Sequence, residues 1–188
     1  MLPKSFEIDF AEIKTQLELL GGLVEKAVWD SLAALRSKNI EMSRHIIERD
    51  WEIYKKRYFI QEKVSVLIIR RQPNEPDFHA AFSIFSIIDE MERIGDYAFR
   101  IALLNLLSKV SPGPETIIDL TQTALKATSM LRHALHAFLA EDFDLAIQFS
   151  KEDIKTDLLY KRAYDELMQI GITGTGRETD HSLSLRMG

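Results

Sequence analysis

The sequence predicts an all-α protein built from long amphipathic helices. Proline and glycine, which interrupt helices, number only 5 and 8 among the 188 residues. Apolar residues recur at spacings of three, four and seven, which places them on one face of a helix with 3.6 residues per turn. Because 46% of the residues are hydrophobic, the chain can bury a sizeable core.

Composition and charge exclude several classes of protein. The chain has no cysteine, which excludes disulfides and thiolate metal sites. Its net charge is −5 and it has no basic stripe, so nucleic acid is not expected as a partner. The first residues include Lys4, Glu7 and Asp9, unlike a secretory signal, and no uncharged run reaches the roughly 18 residues of a membrane span. We therefore expect a soluble, cytoplasmic protein.

Three long helices are predicted in the first half of the chain. The first covers about 5–37 and contains Gly21-Gly22, which suggests a close helix contact or a bend. Asn39 is a suitable N-cap for the second helix, which covers about 40–70. The third follows the proline-rich turn at 72–77 and extends to about 109. Long helices joined by short turns predict an antiparallel bundle.

The run Ser111-Pro112-Gly113-Pro114 marks a boundary, after which the helical pattern begins again. Residues 1–110 therefore form a first three-helix repeat and 111–188 a second, which lacks most of its third helix. The two halves match weakly at an offset of 103 residues, pairing for example Leu32 with Leu135 and Asp50 with Asp153. The sequence thus predicts a tandem repeat of three-helix bundles.

Carboxylates interrupt the apolar stripes of three helices. In the third helix, Phe78, Phe82, Phe85 and Phe99 define a stripe whose intermediate positions are acidic. A buried carboxylate is costly unless it is neutralised, paired or bound to a metal. The acidic positions in the predicted stripes are Asp50 in the second helix, Asp89, Glu92 and Asp96 in the third, and Asp153 and Asp157 in the fifth.

Two interpretations of the acidic face remain open. In one, the face meets solvent at mid-helix or pairs with an arginine such as Arg93 or Arg100. In the other, the oxygen ligands hold a hard cation such as Mg²⁺, Ca²⁺, Mn²⁺ or iron in the bundle. None of these carboxylates belongs to a Glu-x-x-His motif of the kind that ferritin-like diiron enzymes use, which argues against an oxygen-activating enzyme. No nucleophile pattern or phosphate-binding glycine loop is present, so we do not expect an enzyme.

The segment Glu92-Arg93-Ile94-Gly95-Asp96, preceded by Asp89-Glu90-Met91 and followed by Tyr97-Ala98, resembles the signature of the PhoU family. The resemblance extends from about Phe6 to Leu167 and includes Gly21-Gly22 and the turn after Gln72. It departs from the family pattern at Asp77-Phe78-His79, where Asp-Leu-Arg is usual, and at Tyr54, where an aspartate is common.

The resemblance implies a fold, a metal chemistry and a set of partners. PhoU-like proteins are all-helical and often dimeric, with (Glu/Asp)-x-x-x-Asp motifs that can hold metal ions. The positions that match these motifs are Asp50, Glu92, Asp96, Asp153 and Asp157, with Asp89 as a further candidate ligand. The implied function is regulation of phosphate uptake and phosphate-starvation signalling, through a phosphate transporter ATPase subunit, a membrane histidine kinase, or both. The alternative is a metal-binding regulator of another ion transporter.

Overall fold

The computed structural model describes residues 4–107 and 113–150 and contains five helices in these ranges. The helices are α1 (Lys4–Ser37), α2 (Ile40–Arg71), α3 (Glu75–Leu107), α4 (Pro114–Ala140) and α5 (Phe143–Ser150). No strand occurs in this part of the chain. The prediction of an all-α fold is therefore confirmed.

Side-chain caps and left-handed residues set the helix boundaries. The Asn39 side chain accepts a hydrogen bond from the Met42 amide at 3.0 Å, as predicted for an N-cap. Gln72 ends α2 in the left-handed conformation with φ 45°, just before the proline-rich turn. The Asn74 side chain accepts a hydrogen bond from the Asp77 amide at 3.1 Å at the beginning of α3, a cap that was not predicted from the sequence.

Helices α1, α2 and α3 pack against one another, and α4 packs against α1. Glycines allow two of these close approaches. A Cβ added to Gly95 would lie 3.0 Å from Ile53 Cδ1, and one added to Gly21 would lie 2.7 Å from Leu135 Cδ2. The predicted close packing is thus confirmed at Gly21, whereas nothing lies within 4 Å of a Cβ at Gly22.

The predicted buried face of α3 is wrong by about a quarter turn. Phe78 is 37% exposed and Phe82 55% exposed, and the residues that pack into the core are smaller. The buried residues of α3 are Ala81, Ile84, Ile88, Met91, Gly95, Ala98, Ala102 and Asn105. Asp89, Glu92 and Asp96 therefore lie on the flank beside α2, so they do not interrupt the core.

The turns α1–α2 and α4–α5 have the same backbone geometry at the predicted offset of 103 residues. Lys38 and Glu141 both have positive φ, 50° and 57°. The Asn39 amide donates to the Ala34 carbonyl at 3.0 Å, and the Asp142 amide donates to the Ala137 carbonyl at 2.9 Å. Like Asn39, Asp142 caps its helix by accepting from an amide three residues later. These matches support the internal repeat, while the domain boundary at 110 stays a prediction.

Among residues 4–107 and 113–150, no helix is long and apolar enough to cross a membrane. The predicted continuation of α5 and the predicted remnant of the second repeat's third helix lie outside the described residues.

Candidate acidic site

Arg57 of α2 binds two of the predicted site carboxylates of α3. Its Nη2 and Nε donate to Asp89 Oδ1 at 2.6 and 3.1 Å. Its Nε also lies 3.0 Å from Glu92 Oε2. The hydrogen bond to Asp89 raises the pKa of Arg57, so the guanidinium stays charged. This ion cluster joins the two helices at the middle of their contact.

A second pair of carboxylates lies one to two turns away. Burial, followed by the negative charge of Asp96, raises the pKa of Asp50. Asp50, Gly95 and Phe99 border a cleft of about 50 Å³. This cleft has room for a few water molecules. Neither Asp50 nor Asp96 has an ion-pair partner within the described ranges.

The structure brings four of the six predicted site residues together along the α2–α3 contact: Asp50, Asp89, Glu92 and Asp96. The remaining two, Asp153 and Asp157, lie outside the described residues. An arginine does pair with the acidic face, but the named candidates were wrong. Arg93 forms an ion pair with Glu90, and Arg100 lies over the ring of Tyr97.

Arg57 was missed although the sequence contains a signal for it. Position 57 falls between Ile53 and Ile60 at helical spacing, so an arginine there interrupts the inner stripe of α2. A charge at such a position requires a partner, and the nearest acidic stripe is that of α3. Tyr54, which stands where the PhoU pattern commonly has an aspartate, is 55% exposed.

The two carboxylate pairs differ in how well they fit a cation. A cation at Asp89 and Glu92 would have to displace the guanidinium that already neutralises them. Asp50 and Asp96 provide oxygen ligands without a competing cation, which is the chemistry that hard metal ions require. Within the described part of the chain, no three metal-binding side chains are arranged to hold an ion. Of the two pairs, only Asp50 and Asp96 have no guanidinium to displace, and metal binding there stays a prediction.

The flank of the acidic site also carries large exposed aromatic side chains. Trp51, Tyr54 and Tyr58 follow one another at spacings of three and four, and each is more than half exposed. On α3, the Phe78 and Phe82 rings stack with centroids 5.8 Å apart. The α2–α3 flank thus combines carboxylates with an aromatic surface.

Comparison with known proteins identifies relatives of this chain. The PhoU domain model matches residues 17–104, which include most of α1, all of α2 and most of α3. The chain is 31% identical to the phosphate-specific transport system accessory protein PhoU of Serratia marcescens, over 87% of this chain and 67% of that protein. It is 30% identical to the PhoU homolog of Clostridium acetobutylicum, over 90% of this chain and 78% of that protein.

A solved structure shows the same fold. The crystal structure of PhoU from Pseudomonas aeruginosa superimposes with a TM-score of 0.80 at 29% identity. The match covers 89% of this chain and 81% of that one. With these sequence and structural similarities, the chain belongs to the PhoU family.

Proposed function

We propose that this chain is a regulatory accessory protein of phosphate uptake, which acts by protein–protein contact and catalyses no reaction. Membership of the PhoU family, with similarity over 87–90% of the chain to proteins named as phosphate transport accessories, is the observation that carries the proposal. The partners would be the ATPase subunit of a phosphate transporter, a membrane histidine kinase, or both. We place the protein in the cytoplasm, where these partners expose their soluble domains, and expect a homodimer.

Phosphate uptake and partner binding together test this proposal. The full chain, carrying an affinity tag, should retain the transporter ATPase and the cytoplasmic part of the kinase when the three are produced together. A strain without this gene should show altered phosphate uptake when phosphate is abundant. If neither partner is retained and phosphate uptake is unchanged, the proposal is wrong. Altered uptake of a different ion would instead favour a regulator of another transporter.

We further propose that any regulatory cation binds at Asp50 and Asp96. Elemental analysis of the purified chain tests this, with Asp96→Asn as the site variant and Asp119→Asn on α4 as the control. Near-stoichiometric iron, manganese, magnesium or calcium in the wild type and control, and its loss in Asp96→Asn, is the expected result. Equal metal content in all three proteins, or none after addition of ions, would contradict a metal site at this pair.

A further inference from the structure

We propose that two copies of this chain pack together through an uncharged aromatic surface on the flank between α2 and α3. We call this surface the phenylalanine face. The inference rests on the proposed function and deepens it, because it assigns an interface to the homodimer expected there. The face consists of Gln61, Ser65 and Ile68 of α2 and Phe78, Phe82 and Phe85 of α3.

The three phenylalanine rings form a continuous ladder along α3. The Phe78 and Phe82 rings stack with centroids 5.8 Å apart, and the Phe82 and Phe85 rings meet edge to face at 5.7 Å. Phe78 and Phe82 are exposed, whereas Phe85 packs against the core. The ladder is thus anchored at Phe85, and its other two rings present apolar surface to solvent.

The ion pair between α2 and α3 fixes which residues of α2 adjoin this ladder. Arg57 lies opposite Asp89, and α2 ends at the turn just before Glu75. In this antiparallel register, helical spacing from Arg57 brings successive side chains of α2 level with the rings of α3. The level pairs are Gln61 with Phe85, Ser65 with Phe82 and Ile68 with Phe78.

No residue of the phenylalanine face carries a charge, although its borders do. The Arg57–Asp89 ion pair lies at one end, Glu75 lies at the other, and Glu62 is exposed on the outer side of α2. The face therefore offers no electrostatic attraction to a charged peptide or to an anionic membrane. Since the chain has a net charge of −5, two copies approach each other most favourably through neutral surface.

A second copy of the same face matches these properties. A two-fold axis near Phe82 would place each ladder against its own copy, so that ring meets ring and no like charges are opposed. The cores of homodimer interfaces are likewise apolar, enriched in aromatic residues and depleted in charged ones. Asp96 lies about 20 Å from Phe82 along α3, so this dimer would leave Asp50 and Asp96 accessible to a cation.

Analytical ultracentrifugation of point variants tests the face. The wild type should be a dimer, and Phe82→Glu should raise the dimer dissociation constant at least about tenfold, because two carboxylates would oppose each other at the axis. Phe82→Leu keeps an apolar side chain and should retain the dimer. Leu19→Glu, at a residue of α1 that is 51% exposed, is the matched control and should dimerise like the wild type. Thermal melting of each variant verifies that it remains folded.

Cross-linking locates the axis independently. The chain contains no cysteine, so Ser86→Cys and Thr15→Cys each provide a single thiol. Ser86 lies one turn beyond Phe82 on the same side of α3, whereas Thr15 is exposed on α1. A short bis-maleimide should join two copies of the Ser86→Cys variant and should not join two copies of the Thr15→Cys variant. Adding Phe82→Glu to the Ser86→Cys variant should abolish the cross-link.

A chain that stays monomeric at every concentration, a dimer that Phe82→Glu leaves intact, or a cross-link through Thr15→Cys alone would overturn the inference. If the chain is monomeric and Phe82→Glu abolishes its binding to the transporter ATPase or the kinase, that partner covers the face and the inference is wrong.

The failure of this inference can be distinguished from failure of the proposed function. A dimer that Phe82→Glu disrupts, in a chain that retains neither the transporter ATPase nor the kinase and leaves phosphate uptake unchanged, would contradict the regulatory role and leave this interface established. A monomeric chain that retains both partners, with or without Phe82→Glu, would contradict the interface and leave the regulatory role supported.

Discussion

Gly95 and Gly22 both lie inside long helices, but only at Gly95 does the packing of a neighbouring helix leave no room for a side chain. An alanine Cβ at Gly95 would lie 3.0 and 3.3 Å from two atoms of Ile53, a β-branched side chain with little freedom to move. A Cβ at Gly22 meets nothing within 4 Å. Their helix propensity is the same, so the surroundings decide the effect of a substitution.

We expect Gly95→Ala to lower the free energy of unfolding by about 1–3 kcal/mol, because overpacking outweighs the gain in helix propensity. Gly22→Ala should raise it by about 0.5–1 kcal/mol. Urea denaturation of the two variants measures both changes. An equal stabilisation by both would mean that α2 moves away from α3 at negligible cost.

Asp50 should make stability depend on pH in a direction opposite to that of an ion-paired aspartate. Its pKa is raised in the folded chain, so the folded state retains a proton that the unfolded state loses above about pH 4. The free energy of unfolding should therefore fall as pH rises from the unfolded pKa through the folded pKa of Asp50. Asp50→Asn should remove this part of the pH dependence and stabilise the chain at neutral pH.

Urea denaturation between pH 4 and 7 verifies this prediction, with the exposed Glu18 changed to Gln as the control. The difference in free energy of unfolding between Asp50→Asn and wild type should grow with pH and then level off. A constant difference across this range would show that the carboxylate is not perturbed.

Asn105 connects the first three helices at one end of the bundle. Its side-chain amide is buried and donates to the Ala34 carbonyl of α1 at 3.0 Å and to Ser43 Oγ of α2 at 2.9 Å. The Ala34 carbonyl also accepts from the Asn39 amide in the α1–α2 turn. One side chain of α3 thus satisfies polar groups of two other helices.

Asn105→Ala should lower the free energy of unfolding by about 1–3 kcal/mol, because it removes two buried hydrogen bonds and leaves Ser43 Oγ with one partner fewer. Ser43→Ala alone should cost less, since the bond to Ala34 remains. A double-mutant cycle between the two positions measures their coupling. Additive effects would show that the two side chains do not act together.

The sequence predicts where each helix begins and ends more accurately than it predicts which side of the helix is buried. The end of α1, both ends of α2 and the beginning of α3 follow from Asn39 and the proline-rich turn, and the structure places them within two residues of the predicted positions. The buried side of α3 could not be predicted from the phenylalanines, because the contact is made by small residues such as Ala81, Gly95 and Ala98. Small side chains let α3 approach its neighbours closely, and the larger phenylalanines remain at the margin.

The same limitation applies to the acidic site. The sequence identified four carboxylates that do meet along α2 and α3, because their helical spacing was sufficient to align them. It could not show that Arg57 divides them into a neutralised pair and a free pair, since that depends on how α2 and α3 are placed side by side. Metal binding at these residues stays a prediction.

Lys14 connects α1 to the end of α4, and so joins the two predicted repeats. Its ammonium donates to the Leu139 carbonyl at 3.2 Å and to Glu141 Oε1 at 2.7 Å. Arg132 and Glu25 form a second ion pair between the same two helices. The described end of the second predicted repeat is thus held against the first.

Lys14→Met keeps most of the apolar stem and removes both polar bonds, so we expect a loss of about 0.5–1 kcal/mol in the free energy of unfolding. Hydrogen exchange should become faster in the last turn of α4 and in the α4–α5 turn, with α2 and α3 unchanged. Uniformly faster exchange across all helices would show that α4 does not open separately.

The α1–α2 and α4–α5 turns share a backbone conformation but differ in the charge that they carry. Lys38 and Glu141 occupy the same left-handed position, but one is basic and the other acidic. Only Glu141 contacts another helix through a described ion pair, the one with Lys14. If the two halves arose by duplication, both copies have kept the backbone conformation of the turn. In the second copy the side chain at this position, Glu141, also forms an ion pair that holds the two repeats together.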